Sequence, residues 1–582
     1  MVLYNLMFGN GTDDVSALFF RGDAALDPCG TLKIPEGSEI SFETYFNLFS
    51  HTKFRKYCGI REVFIQLKGK GTFCANFYHR STSGIVTLLY SSCFCDTGCA
   101  RLSLSQLPQE GYIYLTVQAL TECELFRGYF FTEDEKRRDC KIGIVICTYR
   151  REEFVYKNLQ MIEKAIAAEP EWASKIHVFI IDNGSTVSLP ESSIYTVVPN
   201  KNLGGSGGFT RGIIEVEKAG TYSHFLLMDD DIRFEFETLK RTYYLLSALN
   251  DEYENATVGG AMLYLDRPTV QHEFGGYFSG LQYCARNSKL DLAEAENLLL
   301  NEQPVTANYN AWWFTCMPVQ TVAQNGLPLP LFIKGDDVEY GIRCIQKLIL
   351  MNGIGVWHQD FTVKYSAAME YYGKRNELID AAIHFKIKRR NLCLKLMYTV
   401  FIQLALKRYD CAELILRAYS DFFAGYRFLI DTDLEALNRE IMRTPPQFIS
   451  KDELEHRFGL NIDSSLKDMD SRRQKPSLMR RALLTLENFL PSFLFSKKPI
   501  LADANSTWAR PLFLKKISIH YDIYKQEGYV CELDTKRRRK IRRAAYKMFF
   551  KILFGYGKTE TEYKNNYKKT CSLQVWKDKL DL

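Results

Sequence analysis

Between residues 31 and 121 short runs of β-forming side chains, at 62–67, 84–90 and 111–117 among others, alternate with Gly, Ser and Asp breakers. Spacing of this kind predicts a small β-sandwich or barrel. A charged stretch at 132–139 marks a boundary, and the rhythm then changes to strand, loop, helix. An apolar run at 141–148 precedes a helical-period segment at 152–168. Further runs follow at 177–181, ending in Asp182, at 197–202, and at 224–228, which passes directly into Asp229, Asp230 and Asp231. Such alternation predicts an α/β, doubly wound, mostly parallel sheet with helices on both faces. Beyond about residue 385 long helical patterns take over. The expected organisation is therefore a β-rich domain at 1–138, an α/β domain at 139–385 and a helical domain at 386–582.

Three adjacent carboxylates at the end of a buried strand repel one another unless a cation is present. Alternate residues of an extended chain face the same side, so Asp229 and Asp231 can share a hard divalent ion, Mn²⁺ or Mg²⁺, with substrate phosphates. A solvated acidic turn is the alternative reading of the same residues. His358, after a short apolar run, offers a neutral imidazole as a third ligand. Thr148 and Arg150 close the first strand and Asp182 the second, on the edge where ligands of such sheets gather; Arg150 suits a diphosphate, and Asp182 a uracil or ribose. The glycine-rich segment 202–212 could let backbone amides approach a diphosphate, yet its spacing does not match a dinucleotide fingerprint, and a flexible loop is the other reading. Trp312, Trp313 and Phe314 suit stacking on a sugar ring, since a consecutive trio is not expected to point into one core. Asp336 and Asp337 precede a helical segment, where a carboxylate serves either chemistry or the helix dipole.

Composition adjusts this picture in a few respects. A length of 582 residues implies three or four structural units. The formal charge of +6 matters less than its placement, because positive residues concentrate in the last third, above all at 536–554, where a cationic half leads into an apolar one. As a helix that stretch suits either an anionic membrane surface or a solvated face with a buried stripe. The first residues do not resemble a signal peptide, so the 16 cysteines are expected to be reduced and mostly buried. Cys93, Cys95 and Cys99 lie close together but lack the paired spacing of a zinc site. No apolar run is long enough to cross a membrane; 392–406, interrupted by Lys395 and Gln403, reads as a buried or interfacial helix.

Taken in order, these motifs resemble the inverting family 2 glycosyltransferases of GT-A fold, most closely the bacterial galactofuranosyltransferases that extend galactan, over residues 141 to about 385. The resemblance also implies the flanking β-rich and helical domains. It implies that Thr148, Arg150, Asp182, Asn202 and Asp230 hold the nucleotide-sugar donor, that Asp229, Asp231 and His358 bind Mn²⁺ or Mg²⁺, and that Asp337 is the catalytic base. Asp336, Trp312, Trp313 and His358 would shape the acceptor site, and 371–376 looks like a family motif supporting it. One departure is Gly335, where those enzymes carry Trp before the acidic pair. The implied partners are a UDP-sugar, a glycan or glycolipid acceptor and the inner face of the cell membrane, with the chain peripheral and cytoplasmic and a homo-oligomer left open. A rhamnosyltransferase using dTDP-rhamnose fits the same fold. A nucleic-acid-binding or inactive glycan-binding scaffold explains the basic C-terminus but leaves the aspartates, the Trp pair and His358 without a role, and a carboxylate-lined cleft repels a polyanion.

Overall fold

A computed structural model describes residues 1–9, 13–360, 366–443, 446–464, 483, 485–505 and 514–582. The chain forms two compact units. The first comprises Met1–Phe278, Tyr283–Leu327 and Asp337–Gln359, and the second Ser279–Gln282, Pro328–Asp336 and Asp360–Leu582. The expected division at 138/139 does not separate units, and the second unit begins before 385.

The reason lies in the first unit's core. Nine N-terminal strands form one sheet whose pairs are all antiparallel. Its long strand Glu62–Arg80 buries Val63, Ile65, Leu67, Phe73, Ala75 and Phe77 at period two, the signature of a half-buried strand. These side chains share one apolar cluster with Ile142, Ile144, Ile146, Leu226 and Met228 of the α/β sheet. Polar ties cross the same junction: Tyr45 Oη donates to Ile354 O at 3.2 Å, and Arg241 Nη2 to Asn5 O at 2.8 Å. Cys74 and Cys93, directly opposed across the ladder, form a disulfide, which departs from the expectation of reduced thiols throughout. Cys95 and Cys99 are exposed. With Cys93 bonded to Cys74, the zinc reading of the trio falls.

The α/β sheet is parallel over Tyr195–Pro199, Ile176–Asp182, Ile142–Thr148 and His224–Asp229, in that spatial order. It then turns mixed. Thr315–Pro318 runs antiparallel to both His224–Asp229 and Thr257–Tyr264, while Leu348–His358 pairs with Thr257–Tyr264 in parallel. The expected mostly parallel sheet is thus mixed, because Thr315–Pro318 inserts antiparallel between two parallel parts and Val270–Glu273 pairs antiparallel beyond them.

The glycine-rich segment is neither a loop nor a dinucleotide cradle but the helix Gly204–Ala219. A Cβ at Gly208 would lie 2.1 Å from Cys147 Sγ, one at Gly212 2.1 Å from Val145 Cγ1, and one at Gly143 2.6 Å from Val216 Cγ2. The glycines let this helix press against the strand Ile142–Thr148 closer than any side chain permits.

In the second unit the helices Ala367–His384, Arg389–Ala405, Tyr409–Phe422 and Thr535–Thr570 enclose their own apolar core. Beside these helices, in the stretch 386–582 expected to be largely helical, stands a four-stranded sheet of Ile449–Ser450, Glu527–Glu532, Ile517–Asp522 and Ile500–Asp503. Strands of two to six residues carry too little periodicity to register in the sequence. Residues 444–445, 465–482, 484 and 506–513 of that expectation lie outside the described residues.

Gly212→Ala tests the close packing. Overpacking a core contact costs about 1–3 kcal/mol, against about 1 kcal/mol regained in helix propensity. The variant should therefore unfold at a lower temperature or urea concentration than wild type, and an unchanged midpoint would refute tight packing there.

Candidate active site

The strand His224–Asp229 delivers Asp229 at its end, with Asp231 two residues on, and Leu348–His358 delivers His358 at its own end. One ligand atom from each of Asp229, Asp231 and His358 lies within 4.8 Å of the others. Two metal bonds of about 2.1 Å placed in line span about 4.2 Å, so small side-chain adjustments suffice to close them on one ion. His358 Nε2 lies 3.0 Å from Asp231 Oδ1. Its Nδ1 faces Gln359 O at 2.6 Å. A carbonyl only accepts, so Nδ1 carries the hydrogen, and Nε2, beside Asp231, is the nitrogen that would face a metal. Two carboxylates and one imidazole suit Mn²⁺ better than an all-oxygen ion.

Asp230 points elsewhere. It is buried, accepts from Thr148 Oγ1 at 2.8 Å and takes Arg151 Nη1 at 3.1 Å. Burial pushes its carboxyl up, and Arg151 opposes the shift. The same Arg151 nitrogen donates to Asp231 Oδ2 at 2.8 Å, turning Oδ1 toward His358. Sequence reasoning chose Arg150 and missed its neighbour. Arg150 is exposed with φ of 56°, its guanidinium 5.3 Å from the Tyr149 ring.

Asp182 is buried and accepts from the backbone amides of Gly184, Thr186 and Val187 at 2.7–2.9 Å, so it builds the loop after its strand. Asn202 Oδ1 accepts from Gly204 N at 3.2 Å, at the start of the glycine helix. These two residues and Thr148 therefore already serve local bonds at the strand ends.

Trp312, Trp313 and Phe314 are all buried, each at most 5% exposed; Trp313 and Phe314 enter the first unit's apolar cluster and Trp312 lies outside it, so the trio is divided as expected but none is open to solvent. Trp312 meets Phe209 and Tyr340 edge-on, and Trp313 Nε1 donates to Gly260 O at 3.0 Å. Little ring face remains for stacking on a sugar.

The helix Asp336–Cys344 begins with the acidic pair, and Val338 N donates to Asp337 Oδ1 at 2.9 Å. Near Asp337 lies a carboxyl that sequence reasoning overlooked. Glu273, on the short strand Val270–Glu273, is 5% exposed, and its Oε1 has no hydrogen-bond partner among the described residues. Burial, with Asp337 adding to it, raises its pKa to about 8. It is therefore largely neutral at pH 7 and can donate a hydrogen bond. Its strand, Val-Gln-His-Glu, lacks the apolar run that would have announced it.

Residues 21–133 match the family model described as galactofuranosyltransferase 2 N-terminal. Over 430 residues, 68% of this chain, it is 25% identical to the galactofuranosyltransferase GlfT2 of Mycolicibacterium smegmatis, and over 431 residues 26% identical to GlfT2 of Mycobacterium tuberculosis. The matches span 65% and 67% of those relatives' lengths. In sequence the chain is similar to these galactofuranosyltransferases over about two thirds of its own length. Among solved structures, a mannosyltransferase from Pyrobaculum calidifontis in complex with GDP-Man and Mn²⁺ aligns at 11% identity and a TM-score of 0.29, covering 43% of this chain and 67% of that one. That likeness is too slight to bear on the chemistry.

A carboxyl whose pKa is higher folded than unfolded stabilises the fold below its unfolded value, near 4.5, and loses that contribution as pH rises through about 8. Relative to Glu273→Gln, wild type should therefore lose thermal stability between pH 5 and pH 8.5. Parallel pH profiles for the two proteins would show that Glu273 is ionised in the fold.

Proposed function

We propose that this chain is an inverting, metal-dependent glycosyltransferase that moves galactofuranose from UDP-galactofuranose onto a growing glycan. The convergence of Asp229, Asp231 and His358 at two strand ends carries the reading. The galactofuranosyltransferase relatives support the choice of sugar.

When held by these three side chains, a divalent cation supplies positive charge to the donor diphosphate. Arg151 keeps Asp231 turned toward His358, and Thr148 with Asp230 braces the neighbouring strand ends. Asp337 takes the proton of an acceptor hydroxyl as its oxygen attacks the anomeric carbon. The bond from that carbon to UDP breaks on the opposite face, and the configuration inverts. A positioned base contributes about 10²–10⁴-fold. Glu273, neutral beside Asp337, offers an O–H donor without adding a second negative charge. Asp336 begins the same helix and belongs to the acceptor side.

The acceptor is proposed to be lipid-linked, which requires the protein at a membrane surface. On the helix Thr535–Thr570 the exposed positions Lys536, Arg539, Arg543, Tyr546, Phe550 and Phe554 recur at helical spacing on one face. Phe550 and Phe554 are 54% and 77% exposed. No acid interrupts the helix before Glu560. Its opposite face buries Ile541, Ala545, Ile552 and Tyr556. Cations and aromatics thus share one outward surface, suited to lying on an anionic leaflet. No helix among the described residues is long and apolar enough to cross a membrane.

Transfer should be assayed by mass spectrometry with a panel of nucleotide sugars, Mn²⁺ and a lipid-tailed glycan. Asp337→Ala is expected to lose at least 100-fold in turnover while binding UDP and Mn²⁺ as wild type does; wild-type turnover in this variant would remove the base assignment. Reversing Arg539, Lys540 and Arg543 to Glu should abolish co-sedimentation with anionic vesicles, and sedimentation unaffected by the reversal would count against the membrane surface.

A further inference from the structure

The loop that leads into the acidic pair follows a course that side-chain-bearing residues rarely adopt. Phe332 has φ of 75° and Lys334 of 62°, and Gly335 follows at 85°. Two left-handed residues with side chains in four positions do not persist unless their surroundings hold them.

What holds them is a pair of buried side chains on the helix Ala367–His384. Asn376 Nδ2 donates to the carbonyls of Leu331, Ile333 and Lys334 at 3.2, 2.9 and 2.6 Å. Three acceptors around one nitrogen fix the amide's orientation, since its oxygen could not sit there. That oxygen instead accepts from Arg375 Nε at 2.9 Å. Arg375 Nη2 donates to Leu331 O at 2.6 Å, so the loop is bound by two neighbouring residues that also bind each other. Both are fully buried. The guanidinium lies 5.3 and 5.2 Å from the rings of Tyr371 and Tyr372, and the ring of Tyr372 stacks on Phe332 itself. Tyr371 Oη donates to Asp421 Oδ2 at 2.7 Å, anchoring the cage.

We infer that Arg375 and Asn376 are positioning residues: they clamp the left-handed loop 331–335, and through the chain continuing from Gly335 they fix where the helix carrying Asp336 and Asp337 begins. The inference deepens the transferase reading and rests on it for its kinetic consequence. The clamp itself is a statement about backbone conformation and can be tested apart from activity.

Asn376→Asp keeps the shape of the side chain but places an oxygen against three carbonyls. Arg375→Lys keeps the charge and loses the fork. Hydrogen exchange on the full-length chain should show peptides covering 329–338 exchanging at least ten-fold faster in Asn376→Asp, and faster to a smaller degree in Arg375→Lys, with the rest of the chain unchanged. Exchange unaltered in both variants, or accelerated throughout the chain in both, overturns the clamp. On the transfer side, kcat should fall ten- to 100-fold while the Kd for UDP with Mn²⁺ stays within two-fold, because the loop serves Asp337 rather than the donor. Equal losses in kcat and donor affinity would mark a role in folding only and overturn the positioning. If wild type transfers no sugar from any nucleotide donor, the functional reading fails, whatever the exchange shows about the clamp.

Discussion

Three carboxylates leave the strand His224–Asp229 in succession, and their mutual repulsion must be relieved before that strand end can hold its shape. Relief comes in two forms. The middle residue turns away from its neighbours into the sheet, where Thr148 and Arg151 bind it and burial favours its neutral form. Arg151 then spans to Asp231, fixing one oxygen of that carboxylate and leaving the other beside His358. The outer pair is thereby separated from the middle acid in direction: Asp230 ties strand ends together, while Asp229 and Asp231 gather with an imidazole whose ring is oriented by a backbone carbonyl. For the proposed cation, side chains already gathered in this way would lower the cost of ordering them on binding.

That arrangement depends on the neighbouring strand ends keeping their height, and the glycine helix accomplishes this. Gly208 and Gly212 let it approach Cys147 and Val145 without intervening side chains. Its first turn then meets the loop after Ile176–Asp182, where Asn183 Nδ2 donates to Gly204 O at 3.0 Å and Asn200 Nδ2 to Asn183 Oδ1 at 2.8 Å. Asp182 closes the same loop on its own amides. The edge proposed for the donor is therefore a set of loops already bound to one another rather than a row of free side chains.

How much of this could be read from residues alone follows from where each interaction lies in the sequence. The strand ending in Asp229 was legible because a strand buried on both faces is a continuous apolar run, and its abrupt end in three acids is a local event. His358 was legible as an imidazole after such a run. Arg151 was not, because nothing local separates it from Arg150; only the fold shows which of the two reaches Asp230. The burial of all three aromatic residues at 312–314 was hidden for a related reason. Consecutive side chains diverge in an ideal strand, but these precede Thr315–Pro318 in a turn enclosed on several sides, where every direction is interior. Glu273 was invisible, and the role of Asn376 within the motif 371–376 stayed open, because their meaning comes from partners 64 and 42–45 positions away.

Two environments separate the carboxyls by charge as well as place. Glu273 is held neutral by burial next to Asp337, while Asp231 lies against the guanidinium of Arg151 and the ring of His358. The same logic bears on Gly335, where the resemblance leads one to expect Trp. At φ of 85° a tryptophan would be strained, and Lys334 and Phe332 beside it are left-handed too. Glycine at this position fits the left-handed course of the loop. The approach to the acidic pair is set in this chain by backbone held from Arg375 and Asn376, so acceptor selection here should answer to loop conformation more than to stacking on an aromatic face.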